Sequence, residues 1–191
     1  MTTTRQRDVV DLLVDQHNQI KSLFGQLGRA RGTEKRELFE RLVRLLAVHE
    51  SAEEIVVHPT ARRKIDRGHQ VVDQRLQEED LAKYELAELD RMGVDHPDFD
   101  ARLARFADAV VRHASHEENE EFPSLRRNMS EAQLTRMAGA VRAAEAVAPT
   151  RPHPHSGESA TANLLVGPVL AVFDRARDAV RDWRESQADR D

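Results

Sequence analysis

Three long stretches of this sequence carry apolar residues at alternating steps of three and four. Each run is interrupted by a residue of a quite different kind. The first reads Val10, Leu13, His17, Ile20, Phe24, Leu27. The second reads Phe39, Leu42, Leu46, His49, Glu53, Val56, and a later one reads Phe99, Leu103, Phe106, Val110, His113, Glu117. That spacing keeps one face of an α-helix turned toward a core. Histidine and glutamate therefore stand where leucine or valine belongs, and each His-x-x-x-Glu pair shares one helical face. Burying an ionised carboxylate is costly unless it is paired, protonated or bound to a metal. A lone seam histidine, or one such pair, is ordinary in helices. Two pairs and a third histidine, all inward, point to a metal site inside a helical bundle. Imidazole with carboxylate suits iron, manganese or zinc rather than the all-oxygen shells of calcium and magnesium.

Composition narrows the chemistry. The 191 residues include no cysteine, which excludes disulfides, thiolate metal sites, iron–sulfur clusters and cysteine nucleophiles. The formal net charge of −5 gives no general attraction to nucleic acid or anionic lipid, although Arg62-Arg63-Lys64 forms a small basic patch. No apolar run approaches the roughly 20 residues needed to cross a bilayer. Met1 to Asp8 lacks the apolar stretch of a signal peptide, so a cytoplasmic location is expected. Ser22, Ser51, Ser115 and Ser124 lack the context of a nucleophile elbow.

The expected fold class is all-α. Long amphipathic segments run from about Gln6 to Arg29, from Thr33 to Val57 with a stop at Pro59, and from Gln70 to Met92. A fourth opens at Asp95-His96-Pro97 and closes at Pro123. Short loops make neighbours antiparallel. Residues 1–128 form the expected bundle and 129–191 a helical extension. In the extension, Ser130-Glu131-Ala132-Gln133 is a capping box that starts a helix to about Val147. Pro149, Pro152 and Pro154 mark a linker over 148–159, and a last amphipathic helix follows from Thr161 to Ser186. That helix is expected to cover the bundle or to form a homodimer.

His17, then His49-Glu50-Ser51-Ala52-Glu53-Glu54 ahead of Pro59, then His113-Ala114-Ser115-His116-Glu117-Glu118 ahead of Phe122-Pro123, resemble the hemerythrin-like, or HHE cation-binding, domain. The resemblance covers about residues 8 to 127. It implies an up-down four-helix bundle around two iron ions joined by an oxo or hydroxo bridge. His17, His49 and His113 would be terminal ligands, with Glu53 and Glu117 bridging. The third helix departs from the family, whose oxygen carriers place two histidines there. Here only His69 occurs, at the helix start. The seam Val72, Leu76, Glu79, Ala82, Leu86, Leu89 makes Glu79 the candidate sixth ligand. Glu78, Asp80 and Tyr84 are alternatives, and an exposed acidic run is the plain one. His58 stands where the family has an aromatic residue and is expected beside the site or simply packed. His116 is expected at the surface, His153 and His155 outside the site, and Glu50, Glu54 and Glu118 outward or ion-paired.

Three histidines and three carboxylates would form a more anionic shell than that of the oxygen carriers. Anionic oxygen donors stabilise ferric over ferrous iron, which favours irreversible oxidation over reversible O2 binding. The expectation is a di-iron redox or sensing protein that meets O2, peroxide or nitric oxide, or reports iron, with neither nucleic acid nor membrane as a partner. Rival expectations are an oxidase or oxygenase of a small organic substrate, and a scaffold with a structural metal.

Overall fold

The structure is a computed structural model that describes residues 7–147 and 168–188. The expected linker over 148–159, with His153 and His155, and the expected start of the last helix over 161–167 lie outside the described residues. Every described element is helical. In chain order they are α1 (Val9–Leu27), α2 (Gly32–Ala52), α3 (His58–Lys64), α4 (Gly68–Met92), α5 (Phe99–His116), α6 (Phe122–Asn128), α7 (Glu131–Val147) and α8 (Pro168–Ala188). One π-helical turn, Glu53–Val57, joins α2 to α3, and a second, Glu117–Glu121, joins α5 to α6.

The helix starts follow local chemistry. Asp8 caps α1 by accepting from the Asp11 backbone N–H at 2.9 Å, while the Asp8 N–H donates to the Asp11 carboxylate at 3.2 Å. Arg126 of α6 pairs with both aspartates and ties the two elements together. The expected box at Ser130 forms, with reciprocal bonds between Ser130 and Gln133 of 3.0 and 3.3 Å. The fourth long helix begins later than Pro97, at Phe99, because Asp95 to Asp98 make a turn.

Two expected stops are corrected: the second and fourth segments do not end at Pro59 and Pro123 but continue through them as α3 and α6. A proline inside an α-helix lacks the N–H donor and clashes with the carbonyl four residues earlier. The wider π turn just before each proline relieves that clash, and π turns of this kind cluster at functional sites. The extra residue also shifts the seam by one. Val57, not Val56, is fully buried, and Glu121 is buried four residues after Glu117.

The core has three layers. At one end Leu27, Leu42, Leu46, Leu86, Phe99 and Phe106 pack together, and at the other Val10, Leu13, Val57, Val72, Phe122 and Leu125 do. Full burial of each such side chain contributes about 1.5–3 kcal/mol. The histidines and glutamates of the seams lie between, since Leu13 and Ile20 flank His17 along α1 just as Val72 and Leu86 flank Glu79 along α4. The extension closes on this bundle. The helix α7 packs on α1 and α2, and α8 packs on α2 and α7. Val172, Phe173 and Ala176 of α8 join the first apolar layer. Gly139 of α7 allows the approach, because a Cβ there would lie 2.7 Å from the Trp183 indole nitrogen. No described helix is long and apolar enough to cross a membrane.

Candidate metal centre

The six residues singled out by the seams come together in the middle layer. Ligand atoms of His17, His49, Glu53 and Glu117 lie within 4.8 Å of one another, and so do those of Glu53, Glu79, His113 and Glu117. Every one of these side chains is buried. The two groups share Glu53 and Glu117, one from each π turn. Two adjacent cation positions with two common carboxylates is the arrangement that a bridged pair of metals requires.

Each inward histidine is oriented from outside. The Nδ1 of His17 lies 2.8 Å from the Glu118 carboxylate, that of His113 lies 2.9 Å from Glu78, and that of His49 lies 3.1 Å from the Gln16 amide oxygen. Gln16 in turn donates to Glu145 at 3.0 Å, which fixes the amide so that its oxygen faces His49. Ionised carboxylates and an amide oxygen only accept, so Nδ1 carries the hydrogen and the Nε2 lone pair points inward. Outer hydrogen bonds of this kind accompany metal-bound histidines generally. The inward result is a group of acceptors facing one another. His17 Nε2 and His49 Nε2 are 3.0 Å apart. Both oxygens of Glu53 and of Glu117, His113 Nε2 and one oxygen each of Glu79 and Glu50 are buried without a hydrogen bond. Orphaned buried acceptors in such density are costly, and cations are the partner that satisfies them together. The donor set fits iron, manganese or zinc.

Charge around the centre agrees. Burial and the neighbouring Glu117 push the Glu53 carboxyl well up. Burial would raise Glu117 as well, but the His113 and His17 imidazoles outweigh it and hold that carboxyl well down. Burial opposes protonation of His113, yet Glu117 and Glu78 push its pKa up to about 12. His49 is pushed well down by burial and by His17 beside it. Without cations His113 would carry a second proton on Nε2, toward Glu117 at 3.3 Å, and a bound cation would replace that proton and leave Nε2 an acceptor.

On α4 the structure turns Glu79 inward and leaves Asp80 exposed, Tyr84 64% exposed and His69 at the surface. Glu78 receives Arg75 as well as His113, and its carboxyl lies at about 2, burial being outweighed by those partners. His116 is half-exposed beside Glu78. Glu54 pairs with Lys83 and Arg177, and Glu118 with Lys21 and His17. One expectation is corrected: Glu50 does not face outward but is 4% exposed, with one oxygen unpartnered and ligand atoms of Glu54 and Glu79 within 4.8 Å. It is a further oxygen donor beside the second position. Its inward turn is hidden in the sequence because it lies one residue after the seam histidine. His58 is completely enclosed, with Nε2 2.5 Å from Glu79 and Nδ1 3.1 Å from the buried Glu121. Glu121 follows Glu117 by four residues, a step that continues the seam, and the structure buries it. The one sequence signal for the π turns is the repeat of a glutamate six residues ahead of a proline in both motifs.

The chain is similar to known proteins. The family described as the hemerythrin HHE cation binding domain matches residues 8–125. An uncharacterised hemerythrin-like protein of Schizosaccharomyces pombe is 23% identical over 177 residues, covering 92% of this chain and 87% of that protein. A DNA nickase of a Nostoc species is 27% identical over 139 residues, which is 72% of this chain but only 39% of that protein. Among solved structures, a hemerythrin HHE cation-binding domain-containing protein from Mycobacterium kansasii superposes with a TM-score of 0.67. It is 20% identical, and the match covers 89% of this chain and 99% of that one. At that identity the likeness carries the fold.

Proposed function

The chain belongs to the hemerythrin HHE cation-binding domain family, and from that premise we propose that it is a non-haem di-iron protein that binds or reacts with O2, peroxide or nitric oxide. The observation that carries this reading is the pair of donor groups with Glu53 and Glu117 in common, whose buried oxygens lie 3.2–3.3 Å from the imidazole Nε2 atoms of His17, His49 and His113. His17 and His49 would hold the first iron, Glu79 and His113 the second, with Glu50 as an additional donor there. Bound iron would supply one-electron redox chemistry toward small oxidants. The protein's part is orientation and charge. Glu118, Gln16 and Glu78 fix the three imidazoles through Nδ1. Glu79, Glu53, Glu117 and Glu50 crowd anionic oxygen around the second position, which favours the ferric state there. The apolar layers on either side restrict water.

Metal analysis of protein from iron-replete cells, with an absorption spectrum before and after dithionite, tests the proposal. Two irons per chain and a near-ultraviolet charge-transfer band that dithionite bleaches are expected. One zinc per chain without such a band would overturn it. A second reading, oxidation of a small organic substrate, draws on one observation: a surface cleft of about 480 Å³ reaches His113 and Glu50.

A further inference from the structure

That cleft lies between α4 and α5, and its size does not suit a diatomic ligand. A water-sized molecule has about 30 Å³ of liquid volume. At about 480 Å³ the cleft falls in the range of sites for small organic ligands, about 300–1,000 Å³. Its origin can be read in the helices. On α5, Arg102, Arg105, Ala109, Arg112 and His116 recur at steps of three and four and so form one stripe along the cleft. Ala109 is the small residue in a row of long ones, and Ala82 and Leu81 of α4 line the same opening. Two alanines leave the hollow. Leu81 is 69% exposed, an apolar side chain left in water at the rim, and Phe106 lies deeper.

The charges in the cleft divide into committed and uncommitted ones. Arg102 pairs with Glu85 at 2.9 Å, and Glu78 is taken by Arg75, His113 and His116. Arg105 and Arg112 make no ion pair among the described residues. Along α5 the free charge of this cleft is therefore positive, on a chain whose net charge is −5, and the carboxyl of Glu50 lies buried at the inner end. Guanidinium groups suit carboxylates, which they bind with two parallel hydrogen bonds. The inner end is formed by Glu50 and His113, both buried and both beside the second donor group.

We propose that the cleft between α4 and α5 binds a small organic monocarboxylate, its acid group at Arg105 and Arg112 and its apolar body over Ala109, Leu81 and Phe106. This site is built by residues outside the metal shell, so it stands or falls separately from the identity of the metal.

Titration calorimetry of the full chain as purified, at low salt, tests it with three probes of one size: phenylacetate, 2-phenylethanol and 2-phenylethylammonium. Phenylacetate is expected to bind at least tenfold more tightly than the alcohol, with the ammonium weakest, and to weaken as salt rises. Arg105→Gln with Arg112→Gln should reduce phenylacetate affinity at least tenfold while circular dichroism and metal content hold. Ala109→Phe should fill the hollow and abolish binding. Arg41→Gln, on the exposed side of α2, should change nothing. Equal affinity for the three probes would overturn the site. So would undiminished phenylacetate binding in the double arginine variant, because the carboxylate would then be held by the metal alone.

Discussion

The two halves of the centre are built to one plan and finished differently. In each, a helix ends in His-x-x-x-Glu, a π turn begins at that glutamate, and a short helix follows through a proline. A separate helix supplies one more side chain, His17 from α1 or Glu79 from α4. The residue just before the proline then covers that side chain. Phe122 stacks on His17 with ring centroids 5.7 Å apart and planes 13° from parallel. His58 instead hydrogen-bonds Glu79. Cover and ligand change together. A neutral imidazole tolerates a phenyl ring against it, whereas a buried carboxylate needs a donor. A glutamate rather than a histidine at position 79 is thus one part of a pair: Glu79 would make the second metal position the more anionic one, and His58, which Glu121 and Glu79 favour in its protonated form against the effect of burial, donates to it.

The largest expected effect should remove the comparison altogether. Glu53 and Glu117 belong to both groups, so Glu53→Ala or Glu117→Ala should cost at least one metal and the charge-transfer band, with helicity largely kept. Stability should fall with metal content. Binding to the folded state alone contributes about 2.7 kcal/mol at a hundredfold excess over the dissociation constant. For a chain of this size that is a drop in Tm of about 5–10 °C. Metal analysis and thermal melts read both. Full metal retention in both variants would show that neither carboxylate is shared.

Terminal side chains should separate the halves. His17→Ala is expected to empty the first position and leave the second largely filled, and His113→Ala the reverse. Metal counts and Mössbauer spectra of the iron-loaded variants would tell one-sided from two-sided loss. Loss of both metals from each variant would mean that the two positions fill only together.

Much of this plan is legible in the amino-acid sequence. Steps of three and four place His17, His49, Glu53, His113 and Glu117 inward without ambiguity, and the α4 seam picks Glu79 over Asp80. What periodicity does not carry is a one-residue insertion. A π turn leaves the apolar pattern intact on both sides and shifts only its phase. The continuation through Pro59 and Pro123 is therefore invisible in the spacing. Glu50 is hidden for a related reason. A position adjacent to a seam residue is normally turned to the flank, and here Glu79 of α4 and His113 of α5 lie beside it. Pairings such as His17 with Glu118 join residues far apart in the chain, and no local pattern announces them.

A smaller effect should sharpen the contrast at Glu79. Glu79→His makes the two positions alike, so two irons should remain. The reduction potential should rise and behaviour should move toward reversible O2 binding, because one anionic donor is gone. Asp80→Ala, about 100° further round the helix and exposed, should do little. Potentiometry and azide titration across these variants measure it. A perturbed centre in Asp80→Ala beside an unperturbed one in Glu79→His would place the α4 register one residue away.

The subtlest test addresses the cover. If His58 acts by holding Glu79, then replacing it should weaken the second position and spare the first. Losses of this kind in outer hydrogen-bond partners are typically about 10- to 100-fold in metal affinity. The simple variant His58→Phe copies Phe122 but also strips Glu121 of its partner, since Glu121 bonds His58 Nδ1 and is fully buried. Two changes would then be confounded. Glu121→Gln separates them, because it keeps a side chain of the same shape and removes only the charge on the far side of His58. His58→Phe combined with Glu121→Gln should lower affinity at the second position as His58→Phe does, whereas Glu121→Gln alone should have much less effect. Adding Glu79→His to His58→Phe should then restore affinity, since a histidine under a phenyl ring is the pairing already present at His17. Metal affinities from chelator competition decide the matter. If Glu79→His gives no recovery in the His58→Phe background, cover and ligand are independent and the paired change is coincidence.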